Sequence, residues 1–194
     1  TSPHSDWIVV AAGQGGGPHV RLFDANGKLL SQFFAYDKAF RGGIHIAMGD
    51  VDGDGVDEIV TIPESRGGAQ VRIFKQDGTL KGQFFAYDKN ARTGWYVTIG
   101  DVDGDGTGEI ITSSQGTDPQ VRIFSAKGVK KTSWNAFEPV RNTGAQIIAC
   151  DVNGDNKAEI IAGQLQGDEI RVLSGVGKLL RSWNPYGRGF KGGI

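Results

Sequence analysis

The sequence predicts an all-β fold, a β-propeller of four blades that each hold four short strands. Two observations predict it. A motif recurs every 50 or 51 residues along the 194-residue chain, and 31 glycines indicate many tight turns. Four short strands in each repeat of about 50 residues are typical of propeller blades.

Three segments define the repeat. The first is acidic and reads DVDGDG at residues 50–55, DVDGDG at 101–106 and DVNGDN at 151–156. The second and third recur four times, as VRLF, VRIF, VRIF and IRVL, and as FFAY, FFAY, WNAF and WNPY. They predict one domain with repeats at approximately 1–43, 44–94, 95–144 and 145–194.

Within the second repeat, short runs of β-branched and aromatic residues bounded by Gly, Asp or Asn predict strands. These strands are expected at residues 44–49, 58–63, 69–75 and 80–87. The first repeat begins with Thr1 at the position equivalent to Asp52 of the second repeat, so its blade is expected to lack the first strand. Because open sheet edges invite pairing, we expect a small ring, a part of a larger propeller, or a homo-oligomer formed through the incomplete blade edges.

The acidic segments predict metal sites. Counted from the first Asp, side-chain oxygens stand at positions 1, 3, 5 and 9, and position 7 would offer a backbone carbonyl. Position 6 is Gly or Asn, which tolerate a left-handed backbone. The candidate ligands are Asp50, Asp52, Asp54, Val56 and Glu58; Asp101, Asp103, Asp105, Thr107 and Glu109; and Asp151, Asn153, Asp155, Lys157 and Glu159.

Clustered hard oxygen ligands favour Ca²⁺, and clustered carboxylates repel one another strongly unless a cation lies among them. Three calcium sites are therefore expected. The alternative is three solvated turns held by Asx hydrogen bonds. An EF-hand is excluded, because its position 12 requires Glu and the residues there are Thr61, Thr112 and Ala162.

The motif GDVDGDGxxEI, followed by VRIF and FFAYD, resembles the FG-GAP/VCBS repeats of bacterial secreted and surface proteins, which are related to the integrin α-chain propeller. The resemblance implies a β-propeller with Ca²⁺ between the first and second strands of each blade. It implies the same side-chain ligands. The first repeat starts too late to have this loop, and Trp7 occupies its position 9.

Other recurring residues predict packing. Arg21, Arg72, Arg122 and Arg171 are expected between blades, paired with carboxylates or stacked on aromatics, with an anion site as the alternative. Phe33, Phe84, Trp134 and Trp183 are interpreted as inter-blade core, with a sugar-stacking platform as the alternative. Cys150 is interpreted as a small buried apolar residue rather than a reactive thiol.

The net charge of −1 gives no case for nucleic-acid binding, and no apolar run reaches the roughly 20 residues of a membrane helix. We expect no enzyme but a calcium-binding module for adhesion or for binding an extracellular protein or glycan, secreted or on a bacterial cell surface. The alternatives are a calcium-dependent lectin, an accessory domain of a secreted enzyme, or an engineered or excised propeller fragment that self-assembles.

Overall fold

The computed structural model describes residues 7–116, 118–138, 144–187, 189–190 and 192–194. Over these residues the chain forms fifteen strands, and neither an α-helix nor a membrane-spanning helix occurs in them. The start of the predicted first repeat, residues 1–6, lies outside the described residues. The absence of helices on either side of the acidic segments in the described chain agrees with the exclusion of an EF-hand.

The strands are short, with four to six residues each. They are β1 (Ile8–Ala11), β2 (His19–Phe23), β3 (Leu29–Phe34), β4 (Ile44–Gly49), β5 (Glu58–Pro63), β6 (Gln70–Phe74), β7 (Leu80–Phe85), β8 (Trp95–Gly100), β9 (Glu109–Ser114), β10 (Gln120–Phe124), β11 (Lys130–Asn135), β12 (Ala145–Cys150), β13 (Glu159–Gln164), β14 (Ile170–Leu173) and β15 (Leu179–Trp183).

Four antiparallel sheets form, each from strands that are consecutive in the chain. We call them blade 1 (β1–β3), blade 2 (β4–β7), blade 3 (β8–β11) and blade 4 (β12–β15). The prediction of four blades, the first with three strands, is confirmed. In blade 2 the first two strands have the predicted bounds, and the last two are one or two residues shorter at their ends than predicted.

A β-bulge recurs where the last two strands of each blade pair. In blade 2, Ile73 lies opposite Gly82 but Phe74 lies opposite Leu80, so Lys81 is the extra residue. In blade 3 the same shift makes Lys131 the extra residue. Leu30 and Leu180 occupy this position in blades 1 and 4. Because a bulge redirects a side chain, this position is aimed differently from its neighbours in the strand.

The hydrophobic core lies between adjacent blades rather than within one sheet. The first strands β4, β8 and β12 contact one another in sequence, and β1 contacts β4. One buried cluster joins blades 1 and 2, a second joins blades 2 and 3, and a third joins blades 3 and 4. The strands β5 and β9 are buried at every residue because they are covered on both faces.

In blades 2, 3 and 4, the arginine that follows the first residue of the VRIF segment joins its blade to the preceding one. The Arg122 guanidinium lies 4.3 Å from the ring centroid of Tyr87, and its Nη1 donates to the Ala86 carbonyl at 2.8 Å. Arg72 lies over the Tyr36 ring and donates to the Ala35 carbonyl. Arg171 lies over the Phe137 ring and donates to the Ala136 carbonyl. We call this arrangement the inter-blade clamp. It confirms the predicted stacking on aromatics between blades for Arg72, Arg122 and Arg171. The prediction is wrong for Arg21, which is exposed and stacks on Phe23 of its own strand because no described blade precedes blade 1.

The recurring aromatics that begin the FFAY and WNAF segments also pack between blades as predicted, except at the last blade. Phe33 and Phe84 pack with tilted rings against Phe74 and Phe124 of the following blade, with centroids 4.7 and 4.9 Å apart. Trp183 has no following blade in the described chain, and it is 42% exposed. The prediction of a buried aromatic is therefore wrong at Trp183.

The interpretation of Cys150 as buried is also wrong, because its side chain is exposed. Side chains alternate between the two faces of a strand. In β12, Ala145 and Ile147 are buried against blade 3, whereas Ile148 and Cys150 point to the opposite face, where no described blade lies. Burial at this position is decided by the neighbouring sheet and not by the apolar character of the segment.

Candidate metal centres

The three acidic loops connect the first and second strands of blades 2, 3 and 4. We call residues 50–58, 101–109 and 151–159 acidic loops 1, 2 and 3. Position 6 has a positive φ in all three, 81° at Gly55, 86° at Gly106 and 64° at Asn156, as the residue types predicted. The turn that this conformation makes folds each loop back over its own first residue.

The carboxylate at position 1 shapes each loop by accepting backbone N–H groups. Asp50 Oδ1 accepts from Gly53 at 2.7 Å and Oδ2 accepts from Gly55 at 2.8 Å. Burial raises the pKa of Asp50, but these hydrogen bonds outweigh it and hold the pKa below its ordinary value. Asp101 and Asp151 accept equivalent bonds in the other two loops.

Two compact clusters of carboxylates result. Oxygens of Asp50, Asp52 and Glu58 all lie within 4.8 Å of one another, and so do oxygens of Asp101, Asp103 and Glu109. The glutamates are the first residues of β5 and β9, and each is only 2% exposed. Burial raises the pKa of Glu58 even though Lys81 donates to it. The structure therefore brings together the side chains at predicted positions 1, 3 and 9 in both loops.

A lysine ammonium bridges two carboxylates of each of these clusters. Lys81 Nζ is 2.6 Å from Asp52 Oδ2 and 2.8 Å from Glu58 Oε1, and 3.7 Å from Asp54 Oδ2. Lys131 Nζ is 2.8 Å from Asp103 Oδ2 and 2.6 Å from Glu109 Oε1. Hydrogen bonds to Asp52 and to Glu58 raise the pKa of Lys81, and Asp103 and Glu109 raise that of Lys131 in the same way.

Acidic loop 3 is built differently. Position 3 is Asn153, whose amide nitrogen donates to Glu159 Oε1 at 2.8 Å and to Asp155 Oδ2 at 3.2 Å. The bulge position that holds Lys81 or Lys131 in the other two blades is Leu180 here. A neutral amide therefore occupies the place of the ammonium, and three carboxylates replace four.

Positions 5 and 7 lie towards the outside of the loops. Asp54 is 53% exposed, and its Oδ1 accepts the N–H of Val56 at 2.8 Å. The same hydrogen bond joins position 7 to position 5 in the other loops, from Thr107 to Asp105 and from Lys157 to Asp155. That Asp54, Asp105 and Asp155 bind a metal, and that the carbonyls of Val56, Thr107 and Lys157 do so, remain predictions.

The loops of consecutive blades are joined through their backbones. The N–H of Gly108 donates to the carbonyl of Asp50 at 2.8 Å, and the N–H of Ala158 donates to the carbonyl of Asp101 at 2.6 Å. Position 8 of one loop is thus bonded to position 1 of the preceding loop. These bonds fix the start of one loop against the end of the next.

The sequence analysis missed Lys81 and Lys131. The available indication was their shared position, three residues before Phe84 and Trp134, in the two repeats whose loops carry four acidic positions. In the repeat with Asn153 the corresponding residue is Leu180. The acidic positions were compared between repeats, but the fourth strands were compared only for their aromatics.

The clusters fit a divalent cation by size and by chemistry. Oxygens bound to one Ca²⁺ lie roughly 2.3–2.6 Å from it, so that two ligands of one ion are at most about 5 Å apart. The 4.8 Å spread of both clusters is within this limit, and all their donors are carboxylate oxygens. Acidic loops 1 and 2 could therefore hold a metal ion, which would supply positive charge among the carboxylates.

Fold and site together define a class, the β-propeller repeat protein with acidic loops between the first two strands of its blades. Residues 50–112 match the sequence model of the FG-GAP-like repeat. That segment runs from acidic loop 1 through acidic loop 2, so the match covers both carboxylate clusters. A search of curated protein sequences gives no match.

Two solved structures are similar in fold. One is the crystal structure of a protein of unknown function from Bacteroides caccae, with a TM-score of 0.56 and 14% identity over 93% of this chain and 58% of that one. The other is the Dos1 propeller, with a TM-score of 0.56 and 12% identity over 86% of this chain and 42% of that one. The chain thus spans about half the length of these structures, and the likeness shows a shared propeller fold.

Proposed function

We propose that the chain is a non-catalytic, calcium-binding β-propeller module that acts outside the cell and binds a protein or glycan partner. The observation that carries the proposal is the cluster of Asp50, Asp52 and Glu58 oxygens within 4.8 Å, repeated one blade later. Calcium near millimolar concentration, as found outside cells, would suffice for sites of modest affinity. The match to the FG-GAP-like repeat, a type usual in extracellular and surface proteins, supports the location.

The non-catalytic part of the proposal is supported by how the carboxylates are used. The position 1 aspartates accept backbone N–H groups, and the buried glutamates accept from both the backbone and lysine. Groups committed to holding a loop in shape are poor candidates for moving protons on a substrate. In this proposal calcium stabilises the blades, and the partner binds to the loops that the blades present.

Calcium is expected to raise the melting temperature of the protein by about 5–10 °C in about 2 mM CaCl₂ relative to excess chelator, because it binds the folded state alone. Differential scanning fluorimetry measures this shift, and the same concentration of MgCl₂ serves as the ionic control. Asp52→Ala should lose part of the shift, whereas Asp57→Ala, at position 8 of the same loop, should keep it. Identical melting curves in calcium and chelator would remove the proposal.

We also propose that the partner includes a second copy of this chain. Every clamp needs an aromatic from one blade and an arginine from the next. Blade 4 presents Tyr186, which is 67% exposed, at the position where Phe137 of blade 3 is 2% exposed. Blade 1 presents Arg21 at the clamp position, and it stacks on Phe23 of its own strand instead. The two open faces thus carry the two halves of one further clamp.

Sedimentation equilibrium is expected to give a mass that rises with concentration above the monomer value of 20.7 kDa. Arg21→Glu should reduce this association because it removes the cation from the clamp, while Arg41→Glu serves as a control of equal charge change. A mass of one chain at all concentrations up to about 1 mM, a weak-affinity limit, would contradict the proposal.

A further inference from the structure

The ammonium groups of Lys81 and Lys131 stand where a metal ion would have to contact its ligands. Each is within 2.8 Å of a position 3 carboxylate and of the buried position 9 glutamate. Both lysines are the extra residue of a β-bulge. Because a bulge interrupts the regular alternation of side chains along a strand, it redirects these two side chains. The same device recurs in two consecutive blades, which argues against an incidental surface ion pair.

The charge of the three loops supports the same interpretation. At positions 1, 3, 5 and 9 and at the bulge, acidic loops 1 and 2 have four carboxylates and one ammonium, and acidic loop 3 has three carboxylates and no ammonium. These five positions therefore sum to −3 in each loop when all are ionised. Outside them, Asp57 adds a carboxylate to acidic loop 1, and Lys157, at position 7 of acidic loop 3, places its ammonium beside Gly104 of acidic loop 2. The change from Asp to Asn at position 3 accompanies the change from Lys to Leu at the bulge, so the summed charge at these five positions is the same in all three loops.

We propose that Lys81 and Lys131 are tethered counter-ions, which hold acidic loops 1 and 2 folded without metal and compete with calcium for the same carboxylates, so that acidic loop 3 binds calcium first. This inference rests on the proposed calcium binding. A divalent ion that enters acidic loop 1 or 2 displaces an ammonium from two carboxylates and meets its repulsion. In acidic loop 3 the ion displaces only the neutral amide of Asn153.

The tether also places a positive charge beside each buried glutamate of acidic loops 1 and 2. Glu58 and Glu109 are 2% exposed, and a buried carboxylate without a partner is strongly destabilising. Lys81 and Lys131, whose side chains are 23% and 36% exposed, reach them along flexible aliphatic stems and can swing into solvent when another cation arrives. Glu159 has the Asn153 amide and the Val152 N–H instead.

The metal-free role is tested by melting Lys131→Met and Lys130→Met in excess chelator. Lys130 is the exposed neighbour in the same strand, and none of the ion pairs among the described residues involves it. Lys131→Met should melt about 3–6 °C below the unmodified protein, because Glu109 loses its counter-ion, and Lys130→Met within about 2 °C of it. Equal melting temperatures for the two variants would overturn the tether.

The competition is tested by a calcium titration followed by nuclear magnetic resonance of the backbone amides. Gly53, Gly104 and Gly154 stand at position 4 of the three loops, and each donates its N–H to the position 1 aspartate, so each amide reports on its own loop. The Gly154 signal should move at a calcium concentration about tenfold lower than the other two. Lys131→Met should lower the midpoint of Gly104 alone, and Lys130→Met should leave all three unchanged.

A converse double variant tests the competition even if Lys131→Met does not fold. Asn153→Asp combined with Leu180→Lys gives acidic loop 3 the four carboxylates and the bulge lysine of the other two, and the Gly154 midpoint should rise towards that of Gly104. Three glycines that titrate together in the unmodified protein, or a Gly104 midpoint indifferent to Lys131→Met, would overturn the proposal. If no glycine responds to calcium, the proposed function fails, and the melting comparison in chelator still decides whether the lysines are counter-ions.

Discussion

Gly128→Ala is expected to lower the free energy of unfolding by about 2–4 kcal/mol. Gly128 lies in the turn between the last two strands of blade 3, at a φ of 74°, where an L side chain is strained. A Cβ built there would lie 2.7 Å from the ring of Phe84 in blade 2, closer than packed atoms tolerate. The substitution therefore strains the turn and also forces apart the two blades.

Gly27→Ala is the matched control for this prediction. Gly27 occupies the same turn position in blade 1 at a φ of 80°, but no atom lies within 4 Å of its added Cβ. It should cost only the backbone strain, about 1 kcal/mol. Urea denaturation of both variants, at concentrations where the protein is monomeric, measures the difference. An equal loss of stability would show that the Phe84 ring yields without cost and that inter-blade packing does not require glycine here.

Ile111→Ala is expected to lower the free energy of unfolding by about 2–5 kcal/mol, the range for truncating a fully buried aliphatic side chain. Ile111 lies in β9 at 0% exposure, in the cluster that joins blades 3 and 4. The truncation removes apolar contact and leaves a cavity between two sheets that are held together mainly by such packing.

Ile161→Ala is its matched control, because Ile161 stands at the same position one blade later. Its side chain is only half-buried, on the face of blade 4 that no described blade covers. It should cost less than half as much as Ile111→Ala, since truncation there leaves no closed cavity. Urea denaturation, at concentrations where the protein is monomeric, measures the loss of unfolding free energy in both variants. If both variants lose the same stability, the core does not lie between blades in the way the structure indicates.

Much of the fold could be predicted because it repeats. The bounds of β4 and β5 follow from turn residues on both sides, and the acidic loops follow from their spacing. The predicted third and fourth strands of blade 2 were one or two residues too long. The N–H of Ala86 still donates to the Ala69 carbonyl, in continuation of the pairing of Gln70 with Phe85, but the next residue, Tyr87, donates its hydroxyl to carbonyls of blade 3.

The metal centres could be predicted only in part. The carboxylates at positions 1, 3 and 9 are close together because a nine-residue turn brings its own ends together, which residue types and spacing can indicate. Lys81 reaches acidic loop 1 from a strand 29 residues away from Asp52, through a bulge. A sequence pattern shows where a bulge residue falls in the repeat, but it does not show which cluster of another strand its side chain meets.

The sequence by itself determined the repeat, the number of blades, the three acidic loops and the glycine turns, because each depends on residues adjacent in the chain. Only the tertiary structure decided what each face of a blade meets. Arg122 reaches the Ala86 carbonyl across 36 residues, and Gly108 reaches Asp50 in the preceding loop. Cys150 and Trp183 are exposed for the same reason: burial in a propeller depends on the neighbouring blade, whose position no local pattern encodes.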